Sequence, residues 1–148
     1  MSKSGEERRR SLETDLDERR GAEDRIQLDT TPALLHSAVP EGSLDYLNQR
    51  WLTFLGVPLE EVLGWRWTRF IHAEDREAFV AKWREALATG EPFEAESRVW
   101  RVDGRYRWLL HRKLPLRDSD GTIVKWYGSS IDIEDRKQSE EWARRQEK

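Results

Sequence analysis

The chain of 148 residues contains no cysteine, a single methionine and no long apolar run. Without cysteine it forms no disulfide, and Cys-ligated zinc, thiolate catalysis and flavin–cysteinyl photochemistry are excluded. A membrane-spanning helix needs about 20 consecutive apolar residues, and the N-terminus is too charged for a secretory signal. We therefore expect a soluble, cytoplasmic protein with no membrane span.

The chain also lacks a large excess of either charge. Charged residues make up 37% of it, but the net charge is only −3, so bulk electrostatics do not favour nucleic-acid binding. The length predicts a single domain with a hydrophobic core. Tryptophan is abundant, with eight residues, and indole side chains belong mostly to cores, interfaces and pockets.

Residues 93–133 predict a three-stranded antiparallel meander. Asp103-Gly104 lies between two runs rich in β-branched and aromatic residues, and both residue types tolerate the positive φ of a two-residue type I′ turn. A longer polar turn at residues 117–121 precedes a third strand at residues 122–131. Strands of about ten residues exceed the usual length of about five or six and favour a curved sheet.

Two sets of side chains alternate along the predicted middle strand. The first set is Trp108, Leu110, Leu114 and Leu116, and the second is Arg107, Leu109, His111 and Lys113. Neither set is purely polar, so both faces of the sheet are expected to be at least partly covered. We expect the protein's own helices to cover one face and a partner to use the other.

Two short strands and a long helix are predicted before the meander. The strands are expected at residues 33–39 and 44–47, separated by a polar turn. The helix is expected from residue 72 to residue 88, where Phe79 and Trp83 recur at helical spacing. That spacing is typical of an amphipathic helix laid on a sheet.

Charged helices are predicted at both ends of the chain. Residues 1–29 predict a solvated helix or one half of a weak coiled coil. Residues 134–148 predict an outgoing helix that has no C-terminal cap, and we expect it to continue beyond Lys148. All the elements together predict an α+β fold, with helices on one face of a five-stranded antiparallel sheet and flanking N- and C-terminal helices.

A set of short motifs follows these elements along the chain. They are residues 44–51, 64–65, 71–76, 90–93, 103–108, 115–118, 126–128 and 132–137. In this order and spacing they resemble a PAS (Per-Arnt-Sim) domain of a bacterial sensor protein, similar to those of sensor histidine kinases. Ala73 departs from the family's usual proline at the first helical position, where proline is only pre-organised.

The resemblance implies a PAS domain at residues 30–133, with strand order 2-1-5-4-3 and middle helices that enclose a pocket. It also implies a homodimer through the flanking helices and a signal passed by the helix at residues 134–148 to a downstream effector such as a histidine kinase. The expected function is a sensory or regulatory module without catalysis of its own. Two alternatives stay open: a ligand-independent dimerisation spacer in a multi-PAS protein, and a haem- or flavin-bearing sensor.

Four aromatic residues are candidates for the pocket lining: Phe54, Phe70, Phe79 and Trp83. Each is a core residue by default, and the many indoles favour a pocket largely filled by side chains, with room at most for an unidentified small molecule. In haem-binding PAS domains the histidine sits on the long helix, and residues 76–88 contain none. Bound flavin leaves no short motif, and no cofactor is predicted.

Other polar clusters have structural explanations. His72 and the two acids that follow it stand at a helix start, where capping and the helix dipole favour them, so no metal site is predicted. His36 and His111 lie on separate strands and could meet across the sheet. The basic, aromatic hairpin at residues 98–108 resembles a nucleic-acid stacking platform, but interleaved acids favour cross-strand charge pairs instead.

Asp132 is the residue singled out for signal relay. It ends the last strand directly before the outgoing helix, so its carboxylate can cap that helix and also pair with a hairpin arginine, for which Arg107 is the candidate. Glu134, at the start of the helix, completes the set. Such an arrangement would tie the sheet to the helix, and a plain N-cap is the alternative interpretation.

Overall fold

The computed structural model describes residues 5–12 and 33–147 of the chain. The chain divides into two units, with the boundary between Thr31 and Pro32. Residues 5–12 of the first unit are helical. The rest of the charged helix predicted for residues 1–29 lies outside the described residues.

Within residues 33–147, the second unit contains five strands, three α-helices and two short 3₁₀ turns. In chain order these are β1 (Leu34–Ala38), β2 (Leu44–Leu47), α1 (Gln49–Leu55), the 3₁₀ turns Leu59–Glu61 and Arg66–Phe70, α2 (Ala73–Thr89), β3 (Phe93–Trp100), β4 (Tyr106–Arg117), β5 (Ile123–Asp132) and α3 (Glu134–Gln146). Predicted caps are confirmed at both interior helices. Asn48 accepts a hydrogen bond from Trp51 N, and His72 accepts one from Glu74 N.

The five strands form one antiparallel sheet in the order β2-β1-β5-β4-β3. The predicted α+β fold and strand order are therefore confirmed. The sheet places one residue from each of four neighbouring strands in a row across its inner face, the face toward α1 and α2. One such row is His36 on β1, Gly128 on β5, Lys113 on β4 and Phe93 on β3.

Three hairpin loops share one geometry. They are residues 40–42, 102–104 and 119–121, and each ends in a glycine with positive φ, at 106°, 85° and 82°. Around the second loop, Arg101 N donates to Arg105 O at 3.0 Å and Gly104 N donates to Arg101 O at 2.9 Å. A type I′ turn requires positive φ at both central residues, and no described non-glycine residue has one. The predicted two-residue type I′ turn at Asp103-Gly104 is therefore wrong, because the loop has three residues and only its glycine is left-handed.

Helix α2 packs on the inner face and supplies the centre of the core. Its buried residues are Phe79, Trp83 and Ala86, which confirms the predicted amphipathic helix. Trp83 is fully buried and meets Trp126 of β5 edge-on, with 5.0 Å between ring centroids and 80° between planes. Its indole N–H donates to Gly42 O at 3.4 Å.

The outer face of the sheet, which points away from α1 and α2, presents apolar side chains. They are Leu110, Leu114 and Leu116 on β4 and Tyr127 and Ile131 on β5, with Leu114 opposite Tyr127 and Leu110 opposite Ile131. Leu110 is buried, whereas the other four are each about half exposed or more. An apolar patch of this kind on a sheet face is typical of an interaction surface.

No helix within the described residues has the length and apolar character needed to cross a membrane.

Candidate functional site: a lysine-containing cavity and the helix beyond it

A cavity lies between the inner face of the sheet and the helical layer, with a volume of about 50 Å³. Its lining is His36, Leu44, Leu47, Trp51, Leu55, Val62, Trp67, Phe70, Ile71, Phe79, Val99, His111 and Lys113. Most of these side chains are apolar or aromatic, as is usual for a ligand pocket. The exceptions are one lysine and two histidines, all of them buried.

Lys113 is the most unusual of these groups, because only 3% of it is exposed. Its Nζ lies over three aromatic rings, at 4.1 Å from the centroid of Trp83, 5.1 Å from Trp67 and 5.6 Å from Phe93. Such cation–π contacts recover part of the free energy lost by removing the ammonium from water. They do not recover all of it, and burial lowers the pKa of Lys113 from 10.5 to about 7.

His111 ties three strands together on the inner face. Its Nε2 lies 3.0 Å from Ser97 Oγ on β3, and its Nδ1 lies 2.7 Å from Ser130 Oγ on β5. A neutral imidazole has one donor and one acceptor nitrogen, and a hydroxyl can take either role, so both contacts are satisfied. Burial, and then the charge of Lys113, lower the pKa of His111 to about 3, so the ring is neutral at physiological pH.

His36 occupies the other side of the same cavity. Its ring lies directly against Gly128, where a Cβ would fall 2.2 Å from Nε2, so a glycine is needed at that position of β5. Burial, the charge of Lys113 and then His111 lower the pKa of His36. Its Nε2 is buried and has no hydrogen-bond partner.

At the C-terminal end of β5, the first turn of α3 is hydrogen-bonded directly to the sheet. Asp132 Oδ2 accepts from Arg107 Nε at 2.8 Å, and Asp132 Oδ1 accepts from Glu134 N at 2.9 Å. Glu134 Oε2 in turn accepts from Trp108 N at 2.7 Å, and Ile133 N donates to Trp108 O at 2.8 Å. The three residues singled out from the sequence therefore lie together and link β4, β5 and α3.

The first turn of α3 is also held to the sheet by ion pairs. Lys137 Nζ lies 2.5 Å from Glu96 Oε2 on β3 and 4.6 Å from the ring centroid of Trp108. Arg136 also pairs with Glu96. These contacts lower the pKa of Glu96, chiefly through the hydrogen bond from Lys137.

Comparison with known proteins places this architecture in a family. The family described as the PAS fold matches residues 44–130 of the chain. The chain belongs to that family. The matched residues run from β2 to β5, so they contain most of the sheet and every lining residue of the cavity except His36 on β1.

Relatives of this PAS domain include much longer proteins. It is 35% identical over 106 residues to the uncharacterized protein y4lL of Sinorhizobium fredii, covering 72% of this chain and 13% of that protein. It is 31% identical over 117 residues to the peroxide stress-activated histidine kinase mak1 of Schizosaccharomyces pombe, covering 78% of this chain and 7% of the kinase. The chain therefore spans about a tenth of the length of these relatives.

A solved structure of similar size shares the fold. It comes from work on a flavin analogue and the mechanism of a light-oxygen-voltage domain, with a TM-score of 0.62 and 27% sequence identity. The match covers 83% of this chain and 94% of that one.

The four aromatic pocket candidates fall in different places in the PAS domain. Phe70 and Phe79 line the cavity. Phe54 instead packs edge-on against Trp51 and faces a surface groove, and Trp83 lies behind Lys113 in the core. The sequence does not single out Lys113 or His36 as lining residues. Alternation puts Lys113 on the same face of the strand as Leu109, but it does not show that this face is the inner one.

The cavity of the PAS domain does not fit a flavin or a haem. Pockets for drug-sized ligands have volumes of about 300–1,000 Å³, against about 50 Å³ here. The rings of Trp51 and His111 are parallel, with 6.4 Å between their centroids. Trp67 meets Phe79 edge-on, with 5.6 Å between ring centroids. These ring contacts pack the interior around the cavity and leave it far smaller than a pocket for a ligand of that size.

Arginines of the β3–β4 hairpin are paired with acids inside the PAS domain. Arg98 binds Asp75 at 2.8 Å through Nη2 and Oδ1, and Arg101 binds Asp103 at 2.5 Å. The bond to Arg98 lowers the pKa of Asp75. Neither of these two pairs is the cross-strand pair expected for the hairpin, because Asp75 lies on α2 and Asp103 lies in the same loop as Arg101. Among residues 5–12 and 33–147, no three acids, histidines or cysteines gather as a metal site would require.

Proposed function

We propose that this PAS domain is a sensory module that dimerises and relays a signal through α3 to a downstream effector such as a histidine kinase. The observation that carries the proposal is the pair of hydrogen bonds from Asp132 to Arg107 and to the first turn of α3. Asp132 lies two residues beyond Ser130, the partner of His111 in the cavity wall. A change in the cavity therefore has a short covalent and hydrogen-bonded route to the helix.

The mechanism proposed is a shift between two arrangements of α3 on the sheet. A ligand or partner changes their populations only by binding one of them more tightly than the other. The kinase relative, of which this chain matches a small part, supports a histidine kinase as the effector. Catalysis would then belong to that effector rather than to the PAS domain.

Replacing Asp132 with alanine should uncouple signalling while leaving the fold intact. The side chains of Arg107 and Asp132 are about a third exposed, so losing the ion pair and the helix contact should reduce the free energy of unfolding by only about 0.5–2 kcal/mol. The measurement is effector output in the full-length protein, with urea unfolding of the variant domain alongside it.

The matched control is Asp135→Ala, which removes an exposed acid from the same turn of α3. We expect this variant to signal normally. If Asp132→Ala signals like the parent protein, or if both variants lose output equally, the relay role of Asp132 is wrong.

We further propose that the dimer uses the outer face of the sheet together with the flanking helices. Leu114→Glu puts a charge in the centre of that face and should weaken self-association at least tenfold, as measured by sedimentation equilibrium. Val102→Glu is the control, because Val102 is also 60% exposed but lies in the β3–β4 loop. A dimer that tolerates Leu114→Glu as well as it tolerates Val102→Glu does not use the outer face.

A second candidate function is a ligand-independent dimerisation spacer, which the small cavity favours. A sensor and a spacer differ in whether a small molecule accompanies the folded protein, which native mass spectrometry detects. A bound flavin or haem, as in the third alternative, would appear in an absorption spectrum from the near ultraviolet to the red. Absorbance from a bound chromophore would show that the cavity does accept a flavin or a haem.

A further inference from the structure

The cavity has basic groups and no acid to balance them. Its titratable lining residues are His36 from β1 and His111 and Lys113 from β4. The lining side chains from β2, β3, α1, α2 and the turns between them are all apolar or aromatic. None of the ion pairs formed within residues 33–147 includes Lys113.

The hydrogen-bonding capacity of these groups is partly unused. An ammonium group has three N–H donors, and Lys113 meets aromatic faces, which are attractive to a cation but accept only weakly. His36 lies across Gly128 in the same row of the sheet, and its Nε2 has no partner. A buried charge is stabilised only when it is paired and hydrogen-bonded, so the protein leaves this site without the counter-ion that it needs.

The size of the cavity limits what can supply that counter-ion. A water molecule needs about 10–15 Å³ of such a volume, so a cavity of about 50 Å³ has room for about three to five heavy atoms. Formate, acetate and propionate fall in or near this range. The apolar lining, which includes Leu47, Val62 and Ile71, suits a short alkyl group beside the carboxylate.

We propose that the cavity binds a small monocarboxylate, with the carboxylate against Lys113 Nζ and the alkyl end among the apolar side chains. The ligand supplies the negative charge that the lining lacks. This inference deepens the proposed function and rests on it for its biological meaning, since it names the class of ligand that the sensor would take.

Binding of the carboxylate is coupled to a proton on Lys113. Since burial lowers the pKa of Lys113 to about 7, the empty site is largely neutral at high pH and largely charged at low pH. His36 and His111 have lowered pKa values and stay neutral throughout this range. Affinity should therefore fall about a hundredfold between about pH 6 and about pH 9, as the charged fraction of Lys113 falls.

The test is a titration of the whole 148-residue chain with sodium acetate, followed by the indole N–H signals of Trp67 and Trp83 in two-dimensional NMR spectra. We expect saturable shifts at about pH 6 and none at about pH 9. Acetamide, the neutral isostere, and sodium chloride at matched ionic strength should produce neither. Formate and propionate titrations define the size limit.

Two lysine variants make the test specific. Lys113→Met keeps the volume of the side chain and should abolish the acetate shifts, while Lys125→Met, at a partly exposed lysine paired with Asp45, should leave them unchanged. Shifts that persist in Lys113→Met, or the absence of saturable shifts for all three carboxylates at low pH, would overturn the proposal.

These experiments test the ligand-binding proposal and the signal-relay proposal independently. The titration needs no effector, whereas the relay is measured through Asp132 in the full-length protein. If acetate binds but Asp132→Ala signals normally, the ligand class stands and the relay is wrong. If Asp132→Ala loses output but no carboxylate binds, the sensor takes its signal from another source.

Discussion

Lys113→Met should stabilise the folded domain, by about 2–5 kcal/mol near neutral pH. Removing a buried lysine normally counts as damage to a protein core, but this ammonium has no counter-ion within the described residues, and burial lowers its pKa from 10.5 to about 7. Methionine has a similar length and packs well among aromatic rings. The variant therefore keeps most of the packing and loses the charge.

The stability gained by Lys113→Met should decrease as the pH rises. Between about pH 7 and 10.5 the unfolded chain binds a proton at Lys113 that the folded chain does not, so wild-type stability rises with pH across this window. The destabilisation of the wild-type domain by buried Lys113 is fully present below about pH 7 and is lost above 10.5. The advantage of Lys113→Met should consequently be largest at the neutral end and shrink toward the alkaline end.

Urea unfolding between about pH 6.5 and 10 measures this effect. Lys125→Met is the control, and we expect it to change the free energy of unfolding by less than about 1 kcal/mol with no comparable trend. If Lys113→Met is less stable than the wild type at neutral pH, the cation–π contacts with Trp67, Trp83 and Phe93 outweigh the desolvation of the ammonium.

Trp83→Ala should destabilise the domain by about 3–5 kcal/mol or more. Trp83 is fully buried, and its ring meets Trp126 and Phe93 edge-on at 5.0 and 5.5 Å. Truncation leaves a cavity between α2 and β5 and removes one aromatic face from Lys113. The measurement is the free energy of unfolding in urea at neutral pH.

Trp142→Ala provides a control of the same residue type. Trp142 lies on α3 and is 63% exposed, so its loss should change the unfolding free energy of the monomer by no more than about 0.5 kcal/mol. Comparable losses at the two positions would contradict the assignment of Trp83 to the centre of the core.

Most of the fold could be predicted from the sequence because local patterns decide it. Alternation marks the strands, Asn48 and His72 mark helix starts, and glycines mark the turns. The type of turn at Asp103-Gly104 was harder to predict, because a dipeptide that suits type I′ also suits a three-residue loop with only its glycine left-handed. Hydrogen bonds between neighbouring strands, which the sequence does not show, select the second.

The site was less predictable, since its features depend on what the helices cover. Alternation placed Lys113 beside Leu109, but a lysine on a strand is normally directed to solvent, and only the position of α2 buries it. Phe54 and Phe79 have the same residue type and helical context, yet only Phe79 faces the cavity. By contrast, the contact between Asp132 and Arg107 could be predicted from the sequence, because the two residues lie at adjacent ends of neighbouring strands.

The hydrogen bonds that join His111 to Ser97 and to Ser130 affect how the strands of the sheet align during folding. A slip of β4 by one residue would turn His111 to the outer face and leave both serine hydroxyls unpaired in the apolar interior. Each unpaired group costs about 1–3 kcal/mol, and the slip would also exchange the two faces of the strand. Misaligned pairings of β3, β4 and β5 are thereby penalised during folding, so the two hydrogen bonds of His111 select a single register of the three strands.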